Sequence, residues 1–387
     1  MRRVALITVF LSVILTILVG GHLYIAQRLV LDAHLPAGVQ ALVLGLIAAA
    51  GATLVLQPLS ERRFPAGVAR AIAWPASVWM GCAFFLLVLV LLSDVTWVLL
   101  GAALPRGDAV GIVATRLRAL SVAGIAALAS WRGLRTALRG PVVRRVDIAL
   151  ARWPRALDGF RIVQLSDIHI GPILDRRFAR RVVECTNALA PDLVAITGDL
   201  VDGSVERIAP EVAPFAALRA RHGVYFVTGN HDHYSGAERW VRRVQALGIR
   251  VLRNERVTIG DGDAGFDLAG VEDHHAHLVS GTAREDLPRA LDGRDGSRPV
   301  VLLAHDPASF PDAVRLGVDL QLSGHTHGGQ IWPFNYLVRL STPYVAGHYR
   351  VDGAQLYVSR GTGFWGPAMR LFAPAEITEI VVRRVPE

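Results

Sequence analysis

Residues 160–170 have the sequence FRIVQLSDIHI, in which a short apolar run ends at an acid and a histidine. The run Phe160–Leu165 contains a β-branched pair and predicts a buried β-strand. Asp167 and His169 follow at the carboxyl end of that strand. The same order, first an apolar strand and then polar side chains, recurs downstream and decides how the chain is organised.

Downstream segments repeat this kind of strand and alternate with amphipathic helices. The expected strands are Asp192–Thr197, Val224–Thr228, Pro299–Ala304, Asp319–Leu322, Gln355–Ser359 and Ile377–Val382. Helical spacing of apolar residues predicts helices over Asp175–Leu189, Pro210–Arg221 and Gly236–Leu247. Strands that alternate with helices are typical of layered α/β folds. We therefore expect an α/β domain over residues 159–387.

Polar residues follow most of these strands, often beside glycine. They are Asp167 and His169, Asp199 and Asp202, Asn230, His231 and Asp232, then His305, and last His325 and His327. In open α/β sheets, binding sites assemble at the carboxyl ends of strands. The neighbouring glycines permit the tight turns that aim such side chains. We expect these residues to lie together.

Seven of the polar residues are candidate metal ligands: Asp167, His169, Asp199, Asn230, His305, His325 and His327. Carboxylate, imidazole and amide groups suit Mn²⁺, Fe or Zn²⁺, and no thiolate is offered. Seven ligands are too many for one four-coordinate zinc ion, but they fit two divalent metal ions that share a bridging carboxylate. Such metal pairs stabilise both the attacking and the leaving oxygen when a phosphoryl group is displaced.

The ordered set of motifs resembles that of the calcineurin-like metallophosphoesterase superfamily. The pattern of that family is Asp-x-His, Gly-Asp, Gly-Asn-His-Asp, a lone His and Gly-His-x-His, and residues 158–385 contain every element. The resemblance implies a four-layer αββα sandwich around two metals. It implies one metal on Asp167, His169 and His327, a second on Asn230, His305 and His325, and Asp199 as the bridge.

The resemblance also implies a role for His231, which would stabilise the transition state and protonate the leaving oxygen. A general acid must lie within hydrogen-bond reach of the leaving group, and His231 directly follows the candidate ligand Asn230. Asp202 and Asp232 are expected to orient the imidazoles of the ligands without binding metal themselves.

The segment Gly361–Pro367, with Arg370, resembles the C-terminal part of a subgroup of this family. Some members of the subgroup have membrane-targeting N-termini, and they are similar to the UDP-2,3-diacylglucosamine hydrolases of lipid A biosynthesis. Phe364 and Trp365 are candidate lining residues of a substrate groove, although aromatic core residues would have the same pattern.

The N-terminal half is apolar enough to contain membrane-spanning helices. The expected spans are Val4–Ile25, Ala37–Leu56, Ala71–Leu92 and Leu120–Ala137, which together make a transmembrane bundle over residues 1–137. Residues 138–158 are expected to be a basic connector close to the membrane surface, with a merely solvated linker as the alternative.

Positive charge is concentrated in the apolar half. Residues 1–150 hold 14 Arg and five acids, whereas residues 151–387 hold 27 Arg and 28 acids. This distribution favours contact with anionic membrane lipid and argues against a nucleic-acid partner. Arginines near the ends of the spans predict that both termini and the α/β domain lie on the cytoplasmic side of the cell (inner) membrane.

These patterns together predict a membrane-bound, dinuclear-metal phosphohydrolase. The expected substrate is a phosphodiester or pyrophosphate of a lipid-linked molecule, such as a UDP-diacylglucosamine-type lipid. Two alternatives stay open: a tethered phosphatase or nuclease that acts on soluble substrates, and a metal-bound receptor that does not turn over.

Overall fold

The computed structural model describes residues 12, 15–100, 108–261, 264–281 and 284–385. The chain divides into two compact units. The helical unit comprises the chain up to Arg135 together with Gly366–Met369, and the sheet unit comprises Thr136–Trp365 and Arg370–Glu387. All strands of the described residues belong to the sheet unit.

The helical unit is built from α1 (Thr16–Leu31), α2 (Ala37–Arg63), α3 (Ala66–Leu100) and α4 (Asp108–Arg139). Among the described residues, α2, α3 and α4 are the three helices long and apolar enough to cross a membrane. They contain the second, third and fourth expected spans. Helix α1 is shorter, and residues 4–11, 13 and 14 of the first expected span lie outside the described residues, so that span stays a prediction.

Two six-stranded sheets form the sheet unit. The strands are β1 (Val142–Leu150), β2 (Phe160–Leu165), β3 (Leu193–Thr197), β4 (Val224–Val227), β5 (Arg250–Val251), β6 (Glu255–Ile259), β7 (Phe266–Gly270), β8 (Val300–Leu303), β9 (Leu320–Ser323), β10 (Gly347–Val351), β11 (Ala354–Val358) and β12 (Glu376–Arg384). Their order is β1-β12-β2-β3-β4-β5 in the first sheet and β10-β11-β9-β8-β7-β6 in the second. Strands β2 to β5 are parallel to one another, as are β7, β8, β9 and β11. Parallel pairing brings their carboxyl ends to one edge of each sheet.

The helices of the sheet unit are α5 (Arg176–Ala188), α6 (Val205–Val212), α7 (Asn230–Tyr234), α8 (Ala237–Ala246), α9 (Ala276–Ser280), α10 (Leu287–Leu291), α11 (Phe310–Arg315) and α12 (Phe334–Ser341). Helix α5 begins after Asp175, whose carboxylate accepts the N–H groups of Arg177 and Phe178. Such a cap stabilises a helix by about 1 kcal/mol. Helices that link parallel strands cover the outer faces of the sheets, which gives the expected αββα order.

An apolar core fills the space between the two sheets. The rings of Trp153 and Phe266 are 4.8 Å apart, and those of Phe160 and Phe266 are 5.4 Å apart. Each such buried side chain contributes about 1.5–3 kcal/mol relative to an exposed one. A second apolar cluster, which includes Leu287 and Phe310, lies between the second sheet and helices α10 and α11. The two clusters hold the layers together and fix the strand ends that carry the site.

The expected basic connector is wrong, because it contains a strand of the first sheet. Strand β1 pairs in parallel with β12 over its full length, and Ile148 and Leu150 are buried. Trp153 belongs to the core. The first residues of β1 are exposed and include Arg144 and Arg145, so the sequence resembles a solvated linker even though the backbone is paired.

The expected helix Pro210–Arg221 is also misplaced. The α-helix is α6, which Ser204 precedes, and a 3-10 helix, Ala213–Ala217, follows it. Proline is common at the first position of a helix, but Pro210 lies inside α6. The helix is placed by its buried residues Ile208 and Val212.

Candidate metal centre

The predicted ligands lie on segments that follow the carboxyl ends of β2, β3, β4, β8 and β9, with Asn230 at the first residue of α7, so both sheets contribute. Hydrogen bonds join these segments. The N–H of Asp167 donates to the carbonyl of Gly198 at 3.0 Å, and the N–H of His169 donates to the carbonyl of Asp199 at 3.0 Å. The N–H of His325 donates to Oδ1 of Asp167 at 2.9 Å. Loops that are distant in sequence are thereby held in one place.

Five of the predicted ligands have a left-handed backbone conformation. Their φ angles are 50° at Asp167, 52° at His169, 53° at Asp199, 69° at His325 and 52° at His327. Non-glycine residues rarely adopt positive φ, and such strain clusters at functional sites. The backbone is therefore bent where it presents the side chains to a common point.

Glycines beside the ligands leave room for them. A Cβ on Gly324 would lie 2.2 Å from Oδ2 of Asp167, and one on Gly229 would lie 2.2 Å from Oδ1 of Asp199. A Cβ on Gly198, where φ is 89°, would lie 2.5 Å from Nδ1 of His305. No larger residue fits these positions without moving a ligand, which explains why glycine stands at each of them.

The first group of ligand atoms consists of Asp167, His169 and His327. Their ligand atoms lie within 4.8 Å of one another. Nε2 of His169 is 3.0 Å from Nε2 of His327, and the latter is 3.4 Å from Oδ1 of Asp167. The structure brings together the residues that the resemblance assigns to one metal.

The second group consists of Asn230, His305 and His325. Nδ1 of His325 lies 3.0 Å from Oδ1 of Asn230 and 3.2 Å from Nε2 of His305. Asp199 lies between the two groups, because its Oδ2 is 3.2 Å from Nε2 of His305 and 3.8 Å from Nε2 of His169. This is the position that a bridging carboxylate requires.

The donor set fits divalent cations in its chemistry and in the direction of its atoms. Nδ1 of His305 donates to the carbonyl of Thr197 at 2.8 Å, and Nδ1 of His169 lies 3.1 Å from Oδ2 of Asp202. A histidine that donates its Nδ1 proton keeps the Nε2 lone pair for a metal. The Nε2 lone pairs of His305 and His169 therefore point toward the carboxylate oxygens of Asp199.

His231 and Asp202 lie beside this donor set. Nδ1 of His231 is 2.7 Å from Oδ1 of Asp202, and the other oxygen of that carboxylate contacts His169. Burial opposes protonation of His231, but the hydrogen bond to Asp202 and the charge of Asp199 raise the pKa of His231 to about 9. Burial disfavours the charged form of Asp202, yet the charges of His169 and His231 hold the pKa of that carboxyl below its usual range. In the metal-free protein His231 is thus a proton donor at neutral pH.

Asp232 does not contact an imidazole, contrary to the expectation. Its Oδ2 accepts the N–H groups of Gly229 at 2.8 Å and Asp199 at 2.9 Å. Its Oδ1 accepts those of Leu200 at 3.0 Å and Val201 at 3.3 Å. Asp232 therefore shapes the backbone of the Asp199 loop, which no motif spacing reveals.

Sequence motifs assigned no role at the metal centre to Arg370, which is fully buried beside that centre. Its guanidinium donates to four carbonyl groups, those of His327, Arg360, Gly363 and Ala373, and its Nη2 lies 3.1 Å from Nδ1 of His327. Burial lowers the pKa of Arg370 to about 10. The signal available in the sequence was a single arginine within the apolar run 368–373.

Two further predictions on surrounding residues can be compared with the structure. Trp365 is 51% exposed, and its ring lies 5.3 Å from that of His231. Phe364 is buried, so it does not line an open groove. On the other side of the centre, His275 lies beside His325, with ring centroids 6.4 Å apart, and its Nδ1 is 3.2 Å from Oδ2 of Asp306.

Two groups of ligands share one carboxylate, and a histidine lies beside them at the strand ends of two mixed sheets. This arrangement defines a dinuclear metallohydrolase centre. The family model for calcineurin-like phosphoesterases matches residues 160–329. The chain belongs to the calcineurin-like metallophosphoesterase family, whose members use divalent metals.

Relatives agree with this membership. The chain is 39% identical over 265 residues to a cattle (Bos taurus) protein named "Transmembrane protein with metallophosphoesterase domain", covering 66% of this chain and 60% of that protein. It is 39% identical over 249 residues to an "Uncharacterized metallophosphoesterase" of Helicobacter pylori strain J99, covering 64% of this chain and 65% of that protein. It is 30% identical over 243 residues to a protein of Aquifex aeolicus with the same description, covering 62% of this chain and 91% of that protein. The chain thus spans less than two thirds of the cattle and Helicobacter proteins.

Proposed function

We propose that the chain is a membrane-bound phosphohydrolase that cleaves a phosphodiester or pyrophosphate bond. The position of Asp199 carries this proposal, because one carboxylate oxygen lies 3.2 Å from His305 and 3.8 Å from His169. A carboxylate shared by two sets of ligands is the arrangement that two-metal phosphoryl chemistry needs.

Each part of the centre then has a role. Asp167, His169 and His327 would hold one divalent cation, Asn230, His305 and His325 the other, and Asp199 both. When bound, the two cations supply the Lewis acidity for transfer of a phosphoryl group to water. Mn²⁺, Fe and Zn²⁺ all suit a donor set of carboxylate, imidazole and amide groups.

Proton transfer falls to His231. Asp202 holds Nδ1 of His231 at 2.7 Å, so Nε2 is the ring nitrogen that donates to the leaving oxygen. The same carboxylate contacts His169 at 3.1 Å, and it therefore fixes the acid relative to the first ligand group. Trp365, which stacks edge-on to His231 and is half exposed, is placed to contact the leaving group.

The substrate that we propose is lipid-linked, such as a UDP-diacylglucosamine-type lipid of lipid A biosynthesis. The helices α2, α3 and α4, apolar and long enough to cross a membrane, support a multi-pass protein whose substrate lies at the bilayer. The arginine distribution supports a cytoplasmic sheet unit. The near-neutral charge of residues 151–387 supports a substrate other than nucleic acid.

The test is hydrolysis of an aryl phosphodiester and its monoester by the detergent-purified full chain, with Mn²⁺ and with EDTA. Asp199→Asn keeps the size of the side chain but weakens the bridge, so we expect at least about a hundredfold loss of kcat. Asp352→Asn is the matched control, since Asp352 is exposed in the turn between β10 and β11.

Metal-dependent cleavage that Asp199→Asn abolishes and Asp352→Asn retains would support the chemistry. Full activity of Asp199→Asn, or equal activity in EDTA, would refute it. If two metals bind per chain and neither ester is cleaved, lipid-linked diphosphates are the next substrates, and failure there as well would favour the receptor without turnover.

A further inference from the structure

An exposed apolar surface lies next to the metal centre. It consists of Trp332, Phe334, Tyr336, Leu337, Leu340 and Phe372, and it is called here the α12 face. Leu340 is 83% exposed and Phe372 is 74% exposed. No residue of helix α12 is buried. Exposed apolar patches of this kind mark surfaces that bind proteins or membranes.

Helix α12 contacts the protein with the side that carries Asn335 and Val338, the two partly buried residues of the helix. A Cβ on Gly329 would lie 2.4 Å from Cα of Asn335, so the side of the helix that carries Asn335 is the side that contacts the metal-ligand loop. Successive residues of a helix are separated by 100°, which places Leu337 and Leu340 on the far side. An ordinary surface helix turns its apolar side inward, whereas α12 leaves Leu337 and Leu340 exposed on its outer side.

The loop beside the helix contributes Phe372, and it does so at the cost of backbone strain. Phe372 has φ of 61°, a conformation that is an outlier for a bulky residue. Its ring lies 6.3 Å from that of Trp332. Backbone strain of this kind persists only where the surrounding structure enforces it, and it clusters at functional sites.

The charges around the α12 face fit a lipid surface. The 320–351 segment contains no acid, but it does contain Arg339 and Arg350. Aromatic and leucine side chains with flanking arginines are typical of helices that lie in the membrane interface. The covalent tether adds a second argument, since only Gly140 and Pro141 separate α4 from β1. Strand β1 must therefore begin within about 11 Å of the end of a helix that can cross the bilayer.

We propose that the α12 face inserts into the interfacial layer of the same bilayer that the apolar helices cross. The sheet unit would thereby touch the membrane at the rim of its metal centre, because α12 directly follows the loop that carries His325 and His327. This contact does not depend on the proposed reaction, and it holds even if the centre does not turn over.

The test measures the depth of labels on the full chain in lipid nanodiscs that contain phosphatidylethanolamine and phosphatidylglycerol. Cys82 and Cys185 are replaced by serine, and an environment-sensitive fluorophore is attached to Leu340→Cys or, separately, to Leu337→Cys. The control is Gly296→Cys, since Gly296 has open space for a Cβ and lies in the loop before β8, at the amino ends of the strands. The quencher is a phospholipid with a nitroxide near its head group.

We expect at least about threefold more quenching at positions 340 and 337 than at position 296, since interfacial helices bury their apolar side about 5–10 Å below the lipid surface. Equal quenching at the three positions would overturn the proposal. Energy transfer between labelled copies without lipid quenching would also overturn it, because the α12 face would then bind a second copy of the chain.

Discussion

We expect replacement of His231 by alanine to lower kcat most for substrates whose leaving group needs a proton. A nitrophenolate leaves without protonation, whereas an alkoxide does not. General acid catalysis contributes about 10²–10⁴-fold, or roughly 3–5 kcal/mol of barrier. We therefore expect His231→Ala to lower kcat by about 10²–10⁴ for an alkyl phosphodiester and by less than about tenfold for the nitrophenyl diester.

The structure supports His231 as the proton donor. Nδ1 of His231 is 2.7 Å from Asp202, and the pKa of His231 is raised to about 9 in the metal-free protein. The Asp202 carboxylate therefore favours the protonated imidazole that an alkoxide leaving group needs.

The assay is steady-state kinetics of the full chain on the two substrates, with bound metal measured in the same samples. His277→Ala is the matched control, because His277 is exposed and its Nδ1 lies 3.2 Å from the carbonyl oxygen of His274 in its own turn. Equal losses on both substrates would refute the assignment of His231 as the acid and would favour a role in transition-state binding. A loss of metal in His231→Ala would refute it in another way, by making the residue a ligand.

Three further changes test the surroundings of the centre. Gly324→Ala places a methyl group on the Asp167 carboxylate and should lower metal affinity by about tenfold or more, measured by titration calorimetry, whereas Gly296→Ala should not. Asp232→Asn leaves two of four buried N–H groups without an acceptor, so we expect about 2–6 kcal/mol less stability and a lower calorimetric unfolding temperature; an unchanged temperature would contradict this. Arg370→Leu removes the donor from four carbonyl groups and should cost about 2–4 kcal/mol, and Arg370→Lys should not restore the loss, because an ammonium cannot match the guanidinium fork.

The sequence predicted where the candidate ligands lie, because most of them belong to a local motif. Asp167 and His169 follow β2 directly, and parallel pairing of the strands is enough to bring such loops to one edge. The roles of the ligands, like that of His231, stay predictions until metal and activity are measured. Their positions are those that the motifs predict.

Residues whose partners are distant in sequence were harder to assign. Strand β1 pairs with β12, more than two hundred residues away, and its exposed arginines hide its alternation. The role of Asp232 depends on backbone N–H groups of another loop, and that of Arg370 on four carbonyl groups. Hydrogen bonds to the backbone do not constrain the partner's side chain, so they leave no pattern in a single sequence.

The place of β12 has a consequence for synthesis of the protein. Among the strands of the described residues β12 comes last, yet it lies between β1 and β2 and pairs with both. A nascent chain whose apolar helices and seven candidate ligands have all been synthesised still lacks the strand that completes the first sheet. Domains generally fold as units during translation, so we expect the metal centre to load stably only after β12 has left the ribosome.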